Sequence, residues 1–402
     1  MNAPRHALII GAGVAGPVAA IALQRAGIDA TVYEAYPTTA HGIGAFMGLA
    51  ANGQDALAAI GLKDAVRSTG IPTPRMAMLN GAGRQLAEVD NGLTLPDGTS
   101  NLTVRRADLY DVLHAEALGH GVRIEYGKRL TSIEQTPDSV TATFDDGTFA
   151  TADVLVGADG MCSTVRGIVA PDAPAPEYTG LLGTGGYARG ISLPGRRDTM
   201  YFVFGKRGFF GYQIAGDDEV WWFANQPVPS EPAPAELAGR TPEWSKKLLT
   251  DLFAGDAPPA RQIVEAGEDN VGWLPMHSMA APRTWYSGRA VLIGDAAHVT
   301  SPSSGQGASL AIEDAVELTR CLRDLPDPAA AFATYQSLRA ARVKKVYDNA
   351  RRVNSSKAAG PVGRVFRDLL TPVFLKVMAS PKSMRWLHGH HIDFDAPVAQ
   401  AA

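Results

Sequence analysis

The chain has 402 residues, 46 % of them hydrophobic and 19 % charged, with a formal net charge of −4. This is the composition of a globular protein with room for two or three domains, and the slight acidity gives no basis for nucleic-acid or anionic-membrane binding. Its only cysteines, Cys162 and Cys321, make neither a disulfide framework nor a metal site and suit a reducing cytoplasm.

The apolar run 7–10 predicts a buried parallel strand, and Gly11-x-Gly13-x-x-Gly16 follows at once. Gly11 permits a tight turn, Gly13 lets the backbone approach a pyrophosphate, and Gly16 lets the next helix lie close to the strand. Ala15 falls in the same phosphate-binding loop, where unpaired N–H groups at the helix N-terminus meet the negative charge. The helix stops near Gly27, and a second strand, 30–33, ends at Glu34. An acidic residue about 20 positions after the glycines is placed to hold a ribose hydroxyl. Residues 7–23 carry no charge, but Gly11, Gly13, Gly16 and Pro17 interrupt them. The stretch also falls short of the ~20 residues a membrane span needs, so the chain reads as soluble.

Strand and helix patterns alternate to about residue 71. Residues 76–103 read as short strands with Asn80-Gly81, Asn91-Gly92 and Asp97-Gly98 turns, which predicts antiparallel hairpins. A helix is expected over 107–118, then strands over 122–126, 140–144 and 154–156. From 177 to 272 the pattern is β-rich, with aromatic and β-branched runs at 201–204, 209–214 and 220–224, and a Pro-rich linker at 226–242. After Asp295 the chain reads as mostly helical, including a basic amphipathic stretch over 329–352.

Two later segments complement the first. Asp153-Val-Leu-Val-Gly157-Ala-Asp159-Gly160 is a strand ending in an acidic turn. A strand over 288–293 ends in Gly294-Asp295 and leads through Pro302 to Gly305-Gln306-Gly307, with a helix beginning near Ala308. A carboxylate at a strand's end can accept from ribose hydroxyls, and the glycines and helix start can present N–H groups to a ring carbonyl or phosphate. The first segment alone fits many dinucleotides; the ordered set of three narrows the ligand to FAD. The expected architecture is α/β: a discontinuous Rossmann-like FAD-binding domain (1–70, 103–175 and 273–350), a β-sheet substrate domain (71–102 and 176–272), and C-terminal helices in 351–402.

These motifs resemble those of the single-component, FAD-dependent aromatic hydroxylases, the group A flavoprotein monooxygenases typified by p-hydroxybenzoate and salicylate hydroxylases. The shorter tetracycline-inactivating and urate-hydroxylating members look similar in layout, since the sequence adds no C-terminal thioredoxin-like domain. The resemblance covers nearly the whole chain. It implies that Asp159 and Gly160 serve both FAD and NAD(P)H, that Asp295 holds a ribityl or ribose hydroxyl, and that Arg106 contacts FAD phosphate or flavin. It implies NADPH or NADH as a transient reductant, O2 trapped as the flavin C4a-hydroperoxide, and hydroxylation of an aromatic, polycyclic or polyketide-like small molecule. Water must be excluded, because a wet peroxide collapses to H2O2. Epoxidation or Baeyer–Villiger-type oxidation on the same peroxide, or a flavin oxidoreductase needing a separate reductase, are the alternatives. Ser309 stands where the family often has Asn.

The remaining signals are weaker. Gly183-Thr-Gly185-Gly-Tyr-Ala188 repeats the glycine spacing but leads into strand and turn, so it reads as strand and NAD(P)H is expected to bind beside the flavin. His298 reads as packed or hydrogen-bonded under the flavin loop. His388, His390 and His391 lack ligand spacing and read as an exposed tail, so no metal site is expected. Pro302 and the backbone of 305–307 should border the peroxide, with Arg207, Tyr212 and His277 as substrate-side candidates. Arg207 reads equally well as a solvated turn cation. Tyr212, Trp222 and Phe223 are candidates for an aromatic pocket, but alternate strand residues point opposite ways, so about half should be core. The apolar segment 369–378 reads as packing across domains rather than membrane contact.

Overall fold

The structure, a computed structural model, describes residues 4–39, 44–267, 272–357 and 381–399. His6–Ile10 lies inside a six-stranded sheet of order Tyr286–Ser287, Ala290–Leu292, Val154–Gly157, His6–Ile10, Asp29–Glu34, Arg123–Tyr126. All neighbours but the edge pair run parallel. Its central strands are apolar at nearly every position because both faces are covered. On one face Ile9 meets the helix Ala15–Arg25, with Gly307–Asp324 beside that helix. On the other lies an antiparallel meander, Leu130–Gln135, Val140–Phe144 and Phe149–Ala152, whose Phe144 stacks on Tyr33 with centroids 4.7 Å apart.

The second large sheet has seven strands in the order Leu274–Ser278, Glu177–Arg189, Glu219–Pro227, Phe209–Ile214, Thr199–Phe204, Arg75–Asn80, Gln85–Asp90. Two features differ from the sequence expectation. Asn80-Gly81 opens a hairpin, but Asn91-Gly92 and Asp97-Gly98 join no strands, and Leu102–Arg105 pairs instead with Phe46–Leu49 and Gly70–Pro72. Leu274–Ser278, expected on the nucleotide side, pairs with Glu177–Arg189. Both depend on non-local pairing, which turn chemistry does not encode. The glycine-rich stretch at 183–186 lies inside strand Glu177–Arg189, as expected.

The C-terminal histidines require a correction. His388 is buried in the helix Pro381–His388, with its ring against Gly92. A ring nitrogen of His390 lies 3.4 Å from the Arg339 guanidinium, while His391 is exposed and pairs with Asp55 at 2.7 Å. Burial pushes His388 and His390 down to about 4. Residues 369–378 lie outside the described residues. Among the described residues, no helix is long and apolar enough to cross a membrane.

A buried ionic cluster ties these parts together. Glu313 and Asp314, adjacent in the helix Gly307–Asp324, are fully buried. Arg339, from the helix Pro328–Lys357, pairs with both at 2.7 Å, and Arg342 grips Glu313 with two 2.7 Å bonds. Asp314 also accepts from the Gly294 N–H at 2.9 Å and meets His298 Nε2 at 2.7 Å. Asn52 donates to Glu313 at 2.7 Å and to Gln306 at 3.0 Å. Burial alone would raise both carboxyls. Arg339 and Arg342 outweigh it and bring Glu313 to about 2, while His298 and Arg339 bring Asp314 to about 2.

Because these folded pKa values lie below the unfolded ones, their stabilisation is complete above about pH 5 and drains as pH falls towards 2. Arg339→Met should cost about 3–5 kcal/mol in urea unfolding at neutral pH, because it takes one cation from two buried carboxylates and leaves Glu313 to Arg342 and Asp314 to His298. The deficit should narrow as acid protonates them; an unchanged midpoint at neutral pH would show that the cluster adds no stability.

Candidate FAD cradle and active site

Parallel pairing brings the three sequence motifs together at the carboxyl ends of adjacent strands, the position where open α/β sheets bind ligands. Gly11 has φ +105°, and a Cβ there would fall on the Ala158 carbonyl oxygen. A Cβ on Gly16 would fall on the carbonyl oxygen of Gly11. Gly13 differs: a Cβ there meets nothing within 4 Å. The first two glycines are therefore demanded by the protein's own packing, and Gly13 faces open space at the start of Ala15–Arg25. Ala15 itself is buried beside Gly294.

Glu34 accepts from the Ala12 N–H at 2.7 Å and the Tyr36 N–H at 3.0 Å. Each carboxylate oxygen keeps a second lone pair for a hydroxyl donor. His114, buried and not singled out by sequence, fixes the other side of Ala12: its Nε2 lies 2.6 Å from the Ala12 carbonyl and its Nδ1 2.7 Å from the Tyr126 hydroxyl. Donation from Nε2 and acceptance at Nδ1 satisfy both contacts.

Asp159 is spent partly on its own turn. It accepts from Ser163 Oγ at 2.5 Å and from the Val165 N–H at 3.1 Å, and burial pushes its carboxyl up. Gly160, at φ +77°, has open space where a Cβ would stand. Arg166 in the following helix donates to the Ala296 carbonyl at 3.1 Å and the Met161 carbonyl at 2.5 Å, so it clamps the second motif to the third. Asp295 presents open side-chain surface, yet desolvation raises its carboxyl. A carboxylate on the floor of a recess has both properties. His298, Arg106 and Arg166 oppose that rise and Asp314 adds to it.

Arg106 begins the helix Arg106–Gly119, donates to the Tyr110 hydroxyl at 2.7 Å and lies against Gly44. Its buried Nε has no partner. Pro302 is exposed at the start of the turn Pro302–Ser304, and Gly305 turns with φ +61°. Gln306 is fully buried on Asn52, leaving its Nε2 unpaired. Gly307 and Ala308 open a long helix, and first-turn N–H groups have no intrahelical partner. Ser309 accepts from the Ala50 N–H at 3.0 Å and packs on Gly53, a spacing that suits its short side chain.

The seven-stranded sheet separates the substrate-side candidates by face. Register places Phe202, Gly211, Phe223 and Gly185 in one cross-strand row, with Met200, Gln213, Trp221 and Tyr187 in the next. This inner face meets the nucleotide side. Phe46 lies 5.9 Å from the rings of Trp221 and Phe223, and the Tyr187 hydroxyl donates to the Ala45 carbonyl at 2.7 Å.

Tyr212 and Trp222 belong to the outer face, contrary to their reading as pocket candidates. Tyr212 stacks on Tyr201 at 4.8 Å, Trp222 stacks on Phe210 at 5.8 Å, and helices Pro242–Leu252 and Ala260–Ala266 cover them. Burial pushes the Tyr212 hydroxyl up, out of reach of acid–base work. Arg207 occupies the exposed turn after Thr199–Phe204 and donates to the Asp251 carbonyl at 3.1 Å, towards the outer helices. His277 points the opposite way from Met276, which faces Gly183; its ring meets Tyr178 and pairs with Glu231 at 3.0 Å. None of Tyr212, Trp222, Arg207 and His277 joins the inner face. Phe223 does.

The glycines give a discriminating test. Gly13→Ala should unfold like the parent protein but bind FAD at least about tenfold more weakly, since its methyl enters only ligand space. Gly16→Ala should lose about 1–3 kcal/mol of stability through overpacking. Equal FAD affinity for Gly13→Ala and the parent, by fluorescence titration, would contradict the assignment.

A family model for the FAD binding domain matches residues 5–350. The FAD-dependent urate hydroxylase of Klebsiella pneumoniae is 33 % identical over 356 residues, covering 86 % of this chain and 88 % of the relative. The 3-amino-4-hydroxybenzoate 2-monooxygenase of Streptomyces cremeus is 31 % identical over 391 residues, or 95 % of this chain and 94 % of the relative. The crystal structure of Klebsiella pneumoniae HpxO complexed with FAD and uric acid superposes with a TM-score of 0.82 at 28 % identity, over 95 % of this chain and 97 % of that one. With the match running through all three motifs, the chain belongs to the FAD-binding-domain family and is an FAD-dependent monooxygenase of the aromatic hydroxylase type.

Proposed function

We propose that this chain hydroxylates an aromatic small molecule at the expense of NADPH or NADH and O2. The observation that carries this reading is the aromatic inner face, which adjoins the cradle through Phe46. The reaction balances as one oxygen atom entering an arene C–H bond and the other leaving as water, with two electrons from NAD(P)H and two from the substrate. FAD supplies the redox chemistry, carrying the NAD(P)H electrons and activating O2 at its C4a position.

The chain's own residues bind and orient. Gly11, Gly13, Ala15 and Gly16 bring the N-terminus of Ala15–Arg25 to the pyrophosphate. Glu34 takes the ribose hydroxyls, and Arg106, with its unpaired Nε, takes phosphate or flavin. Asp159, Gly160, Gly294 and Asp295 border the remaining FAD hydroxyls. The first-turn N–H groups of Gly307 and Ala308 are offered to a ring carbonyl, Gly305 and Gln306 shape the loop through their own N–H bonds to Pro302 and Ser304, and Pro302 borders the oxygen-reacting side. The aromatic face shields that side from water, which limits loss of reducing equivalents to H2O2. A cytoplasmic setting, which the free Cys162 and Cys321 suit, supplies the reductant.

FAD-loaded protein mixed with NADPH or NADH without oxygen should lose its oxidised-flavin absorbance and regain it on aeration. Flavin that stays oxidised, with or without an aromatic ligand present, would overturn the single-component reading in favour of a separate reductase.

A further inference from the structure

We infer that the substrate is an uncharged, largely apolar aromatic or fused-ring molecule lying against the inner face of the seven-stranded sheet, an inference that rests on the monooxygenase reading of that site. The two faces of this sheet are finished differently. On the outer face Val203, Phe210, Tyr212, Trp222 and Ala224 are buried, as a closed core requires. On the inner face Phe202, Phe204, Phe223, Tyr187 and Met78, with Phe46 opposite, keep part of their surface open beside the buried Met200, Phe209, Gln213 and Trp221, although most sit on interior strands. Half-open aromatics at such positions line a space rather than fill one.

Glycines shape that space. A Cβ on Gly211 would fall on the Phe223 ring, so the ring lies flat across the sheet. A Cβ on Gly183 would stand in ordinary contact, 3.6 Å from Asn225 and Met276, so any larger side chain there crowds this end of the face.

The guanidinium ends of the cations bordering this space are turned to the protein, although Arg105 Nε and Arg106 Nε keep no partner. Arg105 is bonded to Glu219 at 2.5 Å and stacked over Tyr187 and Trp221 at 5.1 and 5.0 Å. Arg106 donates to the Tyr110 hydroxyl and its remaining Nε is the group assigned to FAD, while Arg207 lies off this face against the outer helices. At the open edge Arg75 pairs with Glu88 and Arg197 with Asp217. Among the described residues, a carboxylate on this face would lose its water against aromatic rings without gaining a dedicated counter-ion, which is costly. A neutral ring loses little and gains apolar contact.

The test titrates FAD-loaded protein with 2-naphthol and with 6-hydroxy-2-naphthoate, which differ by one carboxylate, following the flavin spectrum. The neutral ligand should bind at least about tenfold more tightly. Phe223→Arg, which places a cation on the face, should reverse the order. If that variant loses flavin, Gly183→Val reads the same space by crowding and should weaken 2-naphthol with flavin content retained. Tighter or equal binding of the carboxylate by the parent protein, or binding of neither, would overturn the inference. The titration needs no reductant, so failure of NAD(P)H to bleach the flavin would count against the proposed reaction alone.

Discussion

Two adjacent carboxylates, Glu313 and Asp314, sit without solvent in the helix that leaves the Gly305-Gln306-Gly307 loop, and two arginines from the next helix hold them there. Buried charges tolerate little displacement, because each ångström lost from a partner exposes an uncompensated ion to a low-dielectric surround. The cluster therefore fixes several elements at once. Gly294 is held through its N–H, His298 through its ring, and Gln306 through Asn52. The floor and one wall of the FAD cradle are thereby referenced to the same pair of acids. Replacement by well-packed apolar residues can be neutral or stabilising in other proteins, so the value of such a cluster here lies in position more than in net stability.

The same division of labour runs through the second sheet. Its outer face is filled by side chains and helices and supplies rigidity; its inner face is left partly open and adjoins the cradle. The bridge between Met279 and Val299 joins the chain after the sheet's last strand to the loop leading to Pro302. The inner face meets the nucleotide side along Phe46, Trp221 and Phe223. A shared boundary of this kind is what the proposed reaction requires, since the two reactants must meet away from water.

The cradle was legible in the sequence because its chemistry is local. Gly11, Gly13, Gly16 and Glu34 fall within one strand–helix–strand unit, and each is a residue type that few alternatives replace. The aromatic strands were equally legible as strands. Which face each aromatic occupies was not, since that depends on register with distant strands: Tyr212 and Trp222 went to the core and Phe223 to the open side. His277 turned away for the same reason, while Arg207 took the second of its two readings, an exposed turn cation. Arg339 and Arg342 read as the polar side of a basic helix, and nothing nearby in sequence marks them as buried. One signal did exist: Glu313 and Asp314 stand between Leu310, Ile312, Ala315 and Val316, and acids inside an apolar stripe demand buried partners. The burial of His388 had no such signal, because it rests on the packing of Gly92 from a remote turn.

Oxygen labelling tests the central assignment most directly. FAD-loaded protein, NADPH or NADH and the tightest-binding neutral aromatic would be turned over under 18O2 in ordinary water, and the product analysed by mass spectrometry. Incorporation of a single labelled oxygen per product, with one reductant oxidised for each hydroxylation, is the expected result for a flavin monooxygenase. A product oxygen drawn from water, or an oxidised product carrying no new oxygen, would contradict it.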